Sequence, residues 1–474
     1  MKQKYEIPLK LFDCSKEEVK ENYGYIDNCR RKILFVLSLL GFLTETESYC
    51  VGPTVITYDV IIPDGVSPEK FMDYQSDISL GIKGRARCYL NKAKGVFCVE
   101  VPRMTAEAVT LGEVIKCCAD MLSDEALTII LGRNTKNEIV TCDLTKLANV
   151  FVAGGEVKGK CSFLDTLITT LVYNHSPNDL KFILISHNEI KFETFSGLPH
   201  LATKPVSDAP EILVALSRVL EEMENRYDLF SKTIVDGNNI TNVRQYNKHV
   251  DAGQKLPEIV VVIDEFDELF YCCGGELRDM IIKLTQKASA AGIYLVVSTQ
   301  CVSKWIIRSS ILENFAARVA FRTSSPLDSY VVLNNYESDS LYYDGDFLYL
   351  IPGVDGVRRA RLPYVSMSNV KRVVDYIKAN YKAYDGKEKT SPDYDSTKDE
   401  TAYKIESCYV SALRAVIEAG QVSVSMIQRK CRVGYNKASL IIQWMEENHY
   451  VSVLNKERRR KVLITMEDFN KKFG

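Results

Sequence analysis

The chain has little that would place it in a membrane, in an oxidising compartment or around a structural metal. Its most apolar run, residues 33–43, is about half the length needed to cross a bilayer, so we expect a buried helix there. The 14 cysteines include no CxxC pair and no Cys/His cluster at metal spacing, which is typical of reduced thiols. The first residues match no secretion signal. We therefore expect a cytoplasmic protein with no membrane span.

The net charge is small, but charge of each sign is unevenly distributed along the chain. The net charge of the 474 residues is −2, so the charge of the whole chain does not indicate an anionic partner. Residues 401–474, however, carry 13 Lys and Arg against 7 Asp and Glu, which leaves the rest of the chain acidic. A basic segment on an acidic body predicts contact between that segment and an anion. The length favours about two to four domains rather than one.

The acidic part of the chain contains two regions with different patterns of apolar residues. Before residue 100, a helix at residues 26–41 and strands at residues 55–62 and 85–90 are typical of a small α+β unit. From residue 149, short unalternating apolar runs are separated by helical patterns, which predicts a parallel sheet covered on both faces. These runs are residues 150–153, 182–185, 259–263, 294–297 and 319–321, with helical patterns at residues 211–230 and 276–291.

The first of these runs leads into a candidate phosphate loop. Residues 154–161 read Gly-Gly-Glu-Val-Lys-Gly-Lys-Cys, which is G-x-x-x-x-G-K between a strand and a helix. Glycines let backbone N–H groups close around phosphates, and the helix N-terminus adds positive potential. The predicted ATP-binding residues are Gly154, Gly155, Glu156, Val157, Lys158, Gly159, Lys160, Cys161 and Ser162. Lys160 would reach the β- and γ-phosphates, and the alternative is a glycine-rich loop that no longer binds nucleotide.

A second strand ends in two carboxylates. Asp264 and Glu265 follow the apolar residues 259–263, where such strands hold Mg²⁺ through water and activate the attacking water. The predicted metal residues are therefore Asp264 and Cys161, and Glu265 is the predicted base. Cys161 replaces the usual Ser or Thr, and a neutral thiol is a poor ligand for a hard ion. A further strand ends near Gln300, which could sense the γ-phosphate. Surface acids at a strand end are the alternative.

With these motifs, the chain resembles the FtsK/SpoIIIE family of DNA translocases over roughly residues 26–464. The segments that carry the resemblance are residues 52–60, 196–201, 222–227, 263–266, 286–288, 291–295, 298–300 and 345–346. The resemblance implies a RecA-like core and a homo-oligomeric, usually hexameric, ring that moves double-stranded DNA with ATP. In such rings an arginine reaches the neighbouring nucleotide, and Arg318 lies in the matching segment. A surface arginine at a strand start is the alternative.

Some positions depart from the family pattern. Residues 186–188 read Ser-His-Asn in place of Asp-Pro-Lys, and Cys301, Ser289 and Tyr330 stand where arginines are usual. These losses bear on the strength of translocation more than on the fold. The membrane spans of full-length relatives have no counterpart here, so we expect no membrane anchor.

The basic C-terminal segment has a helix-turn-helix pattern. Helices are predicted at residues 407–418, 423–430 and 435–448, with Ala438, Ile441, Ile442 and Met445 forming the buried face of the third. Strands at residues 450–454 and 462–465, with a basic hairpin between them, would form a wing. A short helix, a glycine-containing turn and a longer helix place the last helix in the major groove. The alternative is a winged helix used for protein contact.

The predicted DNA contacts lie on the outer face of the third helix and on the wing. They are Arg432, Tyr435, Asn436, Lys437, Leu440, Gln443, Lys456, Arg458, Arg459, Arg460 and Lys461. Residues 429–445 resemble the orienting domain of the family, which reads short polar DNA sequences. Leu440 and Gln443 stand where the family has Arg and Glu, so we expect an altered sequence preference.

These interpretations predict an α/β chain with four segments. They are an α+β domain (residues 1–145), a RecA-like P-loop ATPase domain (146–380), a flexible linker rich in Lys, Asp and Ser (381–401) and a winged helix (402–474). The leading hypothesis is an ATP-driven translocase of double-stranded DNA. Cys161 and the missing arginines motivate an alternative, a DNA-binding regulatory or structural protein that binds nucleotide without hydrolysing it. A coupling protein of a mobile element would share the motor fold.

Overall fold

The computed structural model forms two compact units, Met1–Pro392 and Asp393–Gly474. The residues it describes are 5–13, 21–92, 94–122, 126–155, 157–235, 238–251, 253–300, 302, 309–354, 356–381, 407–431, 438, 441–442, 444–446, 450–452, 460–466 and 468–469. Among them, no helix combines the length and the apolarity that crossing a membrane requires.

The strands of the first unit are β1 (Thr46–Val51), β2 (Val55–Ile61), β3 (Arg87–Asn91), β4 (Val96–Pro102), β5 (Thr128–Asn134), β6 (Ile139–Asp143), β7 (Asn149–Ala153), β8 (Leu180–Ser186), β9 (Ile234–Val235), β10 (Asn238–Asn239), β11 (Glu258–Asp264), β12 (Ile293–Thr299), β13 (Ala317–Ala320), β14 (Asp346–Leu350) and β15 (Arg358–Arg361). Its helices are α1 (Tyr23–Leu39), α2 (Pro68–Asp73), α3 (Gln75–Ile82), α4 (Leu111–Cys117), α5 (Leu144–Leu147), α6 (Val157–Asn174), α7 (Ala209–Lys232), α8 (Val243–His249), α9 (Phe266–Lys287), α10 (Ser309–Leu312), α11 (Pro326–Leu333) and α12 (Met367–Asn380). The second unit contains α13 (Ser407–Ala419) and α14 (Val424–Cys431).

The small lobe at the start of the chain is a four-stranded antiparallel sheet, ordered β1-β2-β4-β3, with α1 packed on it. Helix α1 is amphipathic: Ile26, Cys29, Ile33 and Leu37 recur at helical spacing and are buried. The Asn22 side chain accepts a hydrogen bond from the Tyr25 amide and caps its N-terminus. The predicted α+β arrangement of this region is thus present.

The main sheet has nine strands in the order β6-β5-β15-β14-β13-β7-β12-β11-β8. Strands β13, β7, β12, β11 and β8 pair in parallel, and each predicted apolar run lies in or directly beside one of them. Every residue of β7 and β12 is buried, as expected for strands covered on both faces. The predicted α/β class is confirmed.

The other half of this sheet is antiparallel, and the sequence patterns missed it. Strand β14 pairs antiparallel with both β13 and β15, and β15 pairs with β5. Residues 128–143, assigned above to the N-terminal domain, form β5 and β6 and therefore extend the nine-stranded sheet upstream of residue 146. The four domain limits otherwise remain predictions.

The second unit has the core expected of the predicted third helix. Ala438, Ile441, Ile442 and Met445 are buried and pack with residues of α13 and α14, such as Leu413. Val451 and Val462 form an antiparallel bridge where the predicted wing begins and ends. Residues 382–401, which form most of the predicted linker, lie outside the described residues.

Candidate nucleotide and DNA sites

The glycine-rich loop connects buried β7 to α6 and runs alongside the segment that follows β13. The Gly155 amide donates a hydrogen bond to the Arg322 carbonyl at 2.8 Å, and the Phe321 amide donates to the Ala153 carbonyl at 2.9 Å. A Cβ atom on Gly154 would lie 2.8 Å from the Phe321 Cβ, and one on Gly159 would lie 2.6 Å from the Phe321 ring. These positions therefore require glycine because the loop packs closely against Phe321. This requirement is separate from any contact of the loop with phosphate.

Lys160, at the start of α6, points into an acidic surrounding. Its side chain is only 3% exposed. Burial lowers the pKa of Lys160, and the charges of Asp264, Asp267 and Glu265 oppose that shift. The Lys160 ammonium is buried near carboxylates. When a nucleotide binds, its phosphates could replace these carboxylates as the negatively charged partners of the lysine.

Asp264 is held at the end of β11 by its neighbours on the sheet. Its Oδ1 atom accepts hydrogen bonds from the Ser298 hydroxyl and from the Glu265 amide. Ser298 lies on β12, which pairs in parallel with β11. The C-terminal ends of these two strands therefore lie side by side. The sequence motif had identified Asp264 but gave no sign of Ser298, because their contact depends on strand order.

Asp267 forms a second carboxylate contact at this edge. Its Oδ1 atom accepts from the Thr299 hydroxyl at 2.9 Å and from the Gln300 amide at 3.2 Å. The Gln300 side chain in turn donates from Nε2 to the Gly155 carbonyl at 3.3 Å. Gln300 thus connects the end of β12 to the phosphate loop itself, which places it beside the position where its predicted sensing role would act.

Glu265 has a strained backbone. Its φ is 53°, in the left-handed region that costs a non-glycine residue on the order of 1 kcal/mol or more. Burial raises the pKa of its carboxyl, and the adjacent Asp264 charge raises it further. A carboxylate with a raised pKa is a stronger base near neutral pH, which is the property that activation of water requires.

The metal-binding half of the motif fits Mg²⁺ at Asp264 and not at Cys161. Asp264 offers the carboxylate oxygen that a hard ion prefers. Burial raises the pKa of the Cys161 thiol, so this ligand position holds a neutral sulfur in place of a hydroxyl. In the part of the chain that the structure describes, no group of three His, Cys, Asp or Glu residues is arranged to hold a metal by itself.

A buried ion pair flanks Cys161. Lys191 donates from Nζ to the Asp165 Oδ1 atom at 3.0 Å and to the Cys161 carbonyl at 3.3 Å. Burial lowers the pKa of Lys191, but the nearby Asp165 and Asp264 charges and the hydrogen bond to Asp165 outweigh burial, and the pKa is raised overall. The motif gave no signal for this pair, because Lys191 follows β8 and reaches α6 only in the folded chain.

The remaining loop residues are partly described. Ser162 is half-buried on α6, beside Cys161. Only the backbone of Val157 and Lys158 is described, and Glu156 lies outside the described residues. The predicted contacts of these residues with nucleotide stay predictions.

Arg318, the candidate for reaching a neighbouring subunit, is bonded within its own chain. Its guanidinium donates to the carbonyls of Leu312 and Phe315, each at 2.9 Å, and to that of Val332 at 3.1 Å. These bonds attach the ends of α10 and α11 to strand β13. The predicted contact of Arg318 with a neighbouring subunit stays a prediction.

The structure describes few of the predicted DNA contacts. Arg460 pairs with Glu446 on the third helix, and the Lys461 side chain is exposed. The Lys461 amide and carbonyl both bond to Ser452. The positions outside the described residues are Arg432, Tyr435, Asn436, Lys437, Leu440, Gln443, Lys456, Arg458 and Arg459.

The nine-stranded sheet, the loop around Lys160 and the acidic strand end define a P-loop ATPase fold. The conjugation coupling protein TcpA of pCW3, solved in a monomer form with ATPγS, shares this fold. It aligns with a TM-score of 0.52 at 15% identity and covers 73% of this chain and 99% of its own.

Sequence comparison gives the family. The FtsK/SpoIIIE family model matches residues 119–304, and the FtsK gamma domain model matches residues 404–465. DNA translocase FtsK of Bacillus anthracis is 31% identical over 97% of this chain and 58% of its own length. DNA translocase SpoIIIE of Bacillus subtilis is 30% identical over 93% of this chain and 56% of its own length. The chain belongs to the FtsK/SpoIIIE family and spans a little over half the length of these relatives.

Proposed function

We propose that this chain is an ATP-dependent translocase of double-stranded DNA. The observation that carries the proposal is that Lys160, near the start of α6, is buried where the charges of Asp264 and Glu265, at the end of β11, act on it, in a chain of the FtsK/SpoIIIE family. Relatives named DNA translocases at about 30% identity support the choice of substrate. Hydrolysis of ATP at this edge of the sheet would supply the work.

In this proposal each residue has a role set by its surroundings. Lys160 exchanges its carboxylate neighbours for the β- and γ-phosphates, and Gln300 positions the loop. Glu265 orients the attacking water and accepts its proton at the carboxylate. Asp264 would hold a hydrated Mg²⁺, which supplies neutralisation of phosphate charge when it is bound.

We further propose that the motor is a homo-oligomeric ring, with a hexamer as the expected size, and that the winged helix docks it on duplex DNA. The ring is what the resemblance to the FtsK/SpoIIIE family implies, and the basic surplus after residue 400 supports the DNA contact. Arg318 would hold α10 and α11 in place rather than complete a neighbour's site. Mass photometry with ATP and duplex DNA tests the ring, and a particle that remains monomeric would contradict it.

Phosphate release with and without duplex DNA tests the motor. We expect DNA to stimulate hydrolysis by the native chain, and Glu265→Gln to lose at least about a hundredfold in rate while keeping nucleotide affinity. Lys160→Ala should lose both. Glu268→Gln makes the same chemical change at an exposed position of α9 and should keep the native rate.

Release by the native chain no faster than by Glu265→Gln, with DNA present, would reject hydrolysis. The second candidate, a DNA-binding protein that holds nucleotide without turnover, would then stand. The observation that favours it is the thiol of Cys161 at the metal position.

A further inference from the structure

The metal position of the proposed nucleotide site has an unusual set of donors. Cys161 carries a sulfur atom near the start of α6, and Asp264 lies close enough for its charge to act on that sulfur. One oxygen of Asp264 is already occupied by the Ser298 hydroxyl and the Glu265 amide. The site therefore combines one soft atom with one available carboxylate oxygen.

Asp165, one helical turn after Cys161 on α6, does not replace the missing hydroxyl. Its Oδ1 atom is instead bound to Lys191 at 3.0 Å, and the same ammonium bonds the Cys161 carbonyl at 3.3 Å. The Lys191 side chain is only 9% exposed, so this pair is fixed by packing rather than loosely placed.

Mg²⁺ and softer ions respond differently to such a donor set. Mg²⁺ requires oxygen ligands in near-ideal octahedral geometry, which a sulfur atom cannot supply. Co²⁺ and Mn²⁺ also coordinate phosphates and carboxylates, and Co²⁺ additionally accepts thiolate sulfur with higher affinity. When sulfur binds such an ion, the S–H proton is released to solvent as the sulfur–metal bond forms.

We propose that Cys161 makes this nucleotide site prefer a thiophilic divalent cation over Mg²⁺, with Co²⁺ bound more favourably than Mn²⁺. The inference rests on the proposed nucleotide binding and specifies its metal. Nucleotide binding in Mg²⁺ alone then depends mainly on Lys160 and the loop.

The test measures the affinity of a fluorescent ATP analogue in EDTA, Mg²⁺, Mn²⁺ and Co²⁺, for the native chain and for Cys161→Ser. For the native chain, Co²⁺ should strengthen nucleotide binding at least about tenfold more than Mg²⁺ does. Cys161→Ser restores a hard oxygen and should reduce this Co²⁺/Mg²⁺ ratio by about tenfold, chiefly by improving binding in Mg²⁺.

A spectroscopic measurement gives a second readout that does not depend on affinity. The native chain with Co²⁺ and nucleotide should show a near-ultraviolet band from thiolate-to-cobalt charge transfer, and Cys161→Ser should lack it. The control is Cys117→Ser, which removes an exposed thiol elsewhere and should keep both the band and the native ratio.

The outcomes separate the two proposals. Nucleotide binding with the same metal ranking in the native chain and Cys161→Ser, and no charge-transfer band, would overturn the metal preference alone. An absence of nucleotide binding by both proteins under every condition would overturn the proposed function, and this inference with it.

Discussion

His200 shows how burial fixes the charge of a single residue in the first unit. Its Nε2–H group donates to the His175 carbonyl at 2.8 Å, and the described residues provide no hydrogen-bond partner for Nδ1. Burial lowers the pKa of His200 from its ordinary value of 6.5 to about 3, and the nearby Lys181 charge acts in the same direction. The imidazole is therefore neutral in the folded chain at any physiological pH.

This neutrality predicts acid sensitivity. Between pH 6.5 and 3 the unfolded chain binds a proton at His200 that the folded chain does not. The free energy of unfolding should therefore fall by about 1.4 kcal/mol for each pH unit below 6.5 from this group. Denaturant unfolding between pH 7.5 and 5 measures the slope, which His200→Gln should flatten.

The matched control is His249→Gln, which changes an exposed histidine and should leave the slope as it is in the native chain. Equal slopes for His200→Gln and the native chain would contradict the assignment.

Individual site residues were predictable only where the motif is local. Lys160 follows from the loop pattern, and Asp264 with Glu265 follows from an apolar strand ending in acids. Lys191 and Asp165 are far apart in the sequence and match no known motif spacing. Their ion pair could therefore not be predicted from the sequence. Arg318 was chosen from its position in a motif. That position could not reveal that its guanidinium donates hydrogen bonds to carbonyls of the same chain.

At the scale of elements, buried parallel strands were predictable and the antiparallel ones were not. β7, β8, β11 and β12 are continuous apolar runs because helices cover both faces. β15 reads Arg-Arg-Ala-Arg, which resembles a solvent-exposed turn more than a strand. Arg359 and Arg361 pair with acids from other elements, so the strand depends on tertiary contacts that periodicity does not show.

The pairing of β5 with β15 requires a glycine at position 132. Its φ is 126°, and a Cβ there would lie 1.9 Å from the Arg361 carbonyl oxygen. Gly132→Ala should therefore cost more than about 2 kcal/mol in the free energy of unfolding, because the strands must separate or the backbone must change region. Equilibrium denaturation checks this, with Gly253→Ala as a control at a position with open space. A cost below that of the control would show that the strands tolerate the shift.

Across the whole first unit, the small lobe and the main sheet meet at a buried ionic cluster. Glu100 on β4 accepts from Arg87 at 3.2 Å and from Arg359 on β15 at 3.4 Å. Arg87 also pairs with Glu337 at 2.7 Å, and Arg359 pairs with Asp346. Glu100 is 1% exposed, and the two guanidiniums compensate its buried carboxylate.

Removing that central charge should be costly. Glu100→Gln leaves Arg87 and Arg359 close together with one carboxylate fewer, so we expect a loss of about 3–5 kcal/mol in the free energy of unfolding. Glu47→Gln, the same change at an exposed position of β1, should be neutral. Denaturant titrations of both variants decide the point, and similar midpoints for the two would refute it.

The same cluster limits relative movement of the lobe and the sheet in the proposed motor. Sliding the lobe along the sheet would separate guanidiniums from carboxylates where no water can solvate them, which makes this seam resistant to shear. The cluster therefore stabilises the position of the lobe on the sheet. In the proposed motor, we expect any hinge to lie outside this contact.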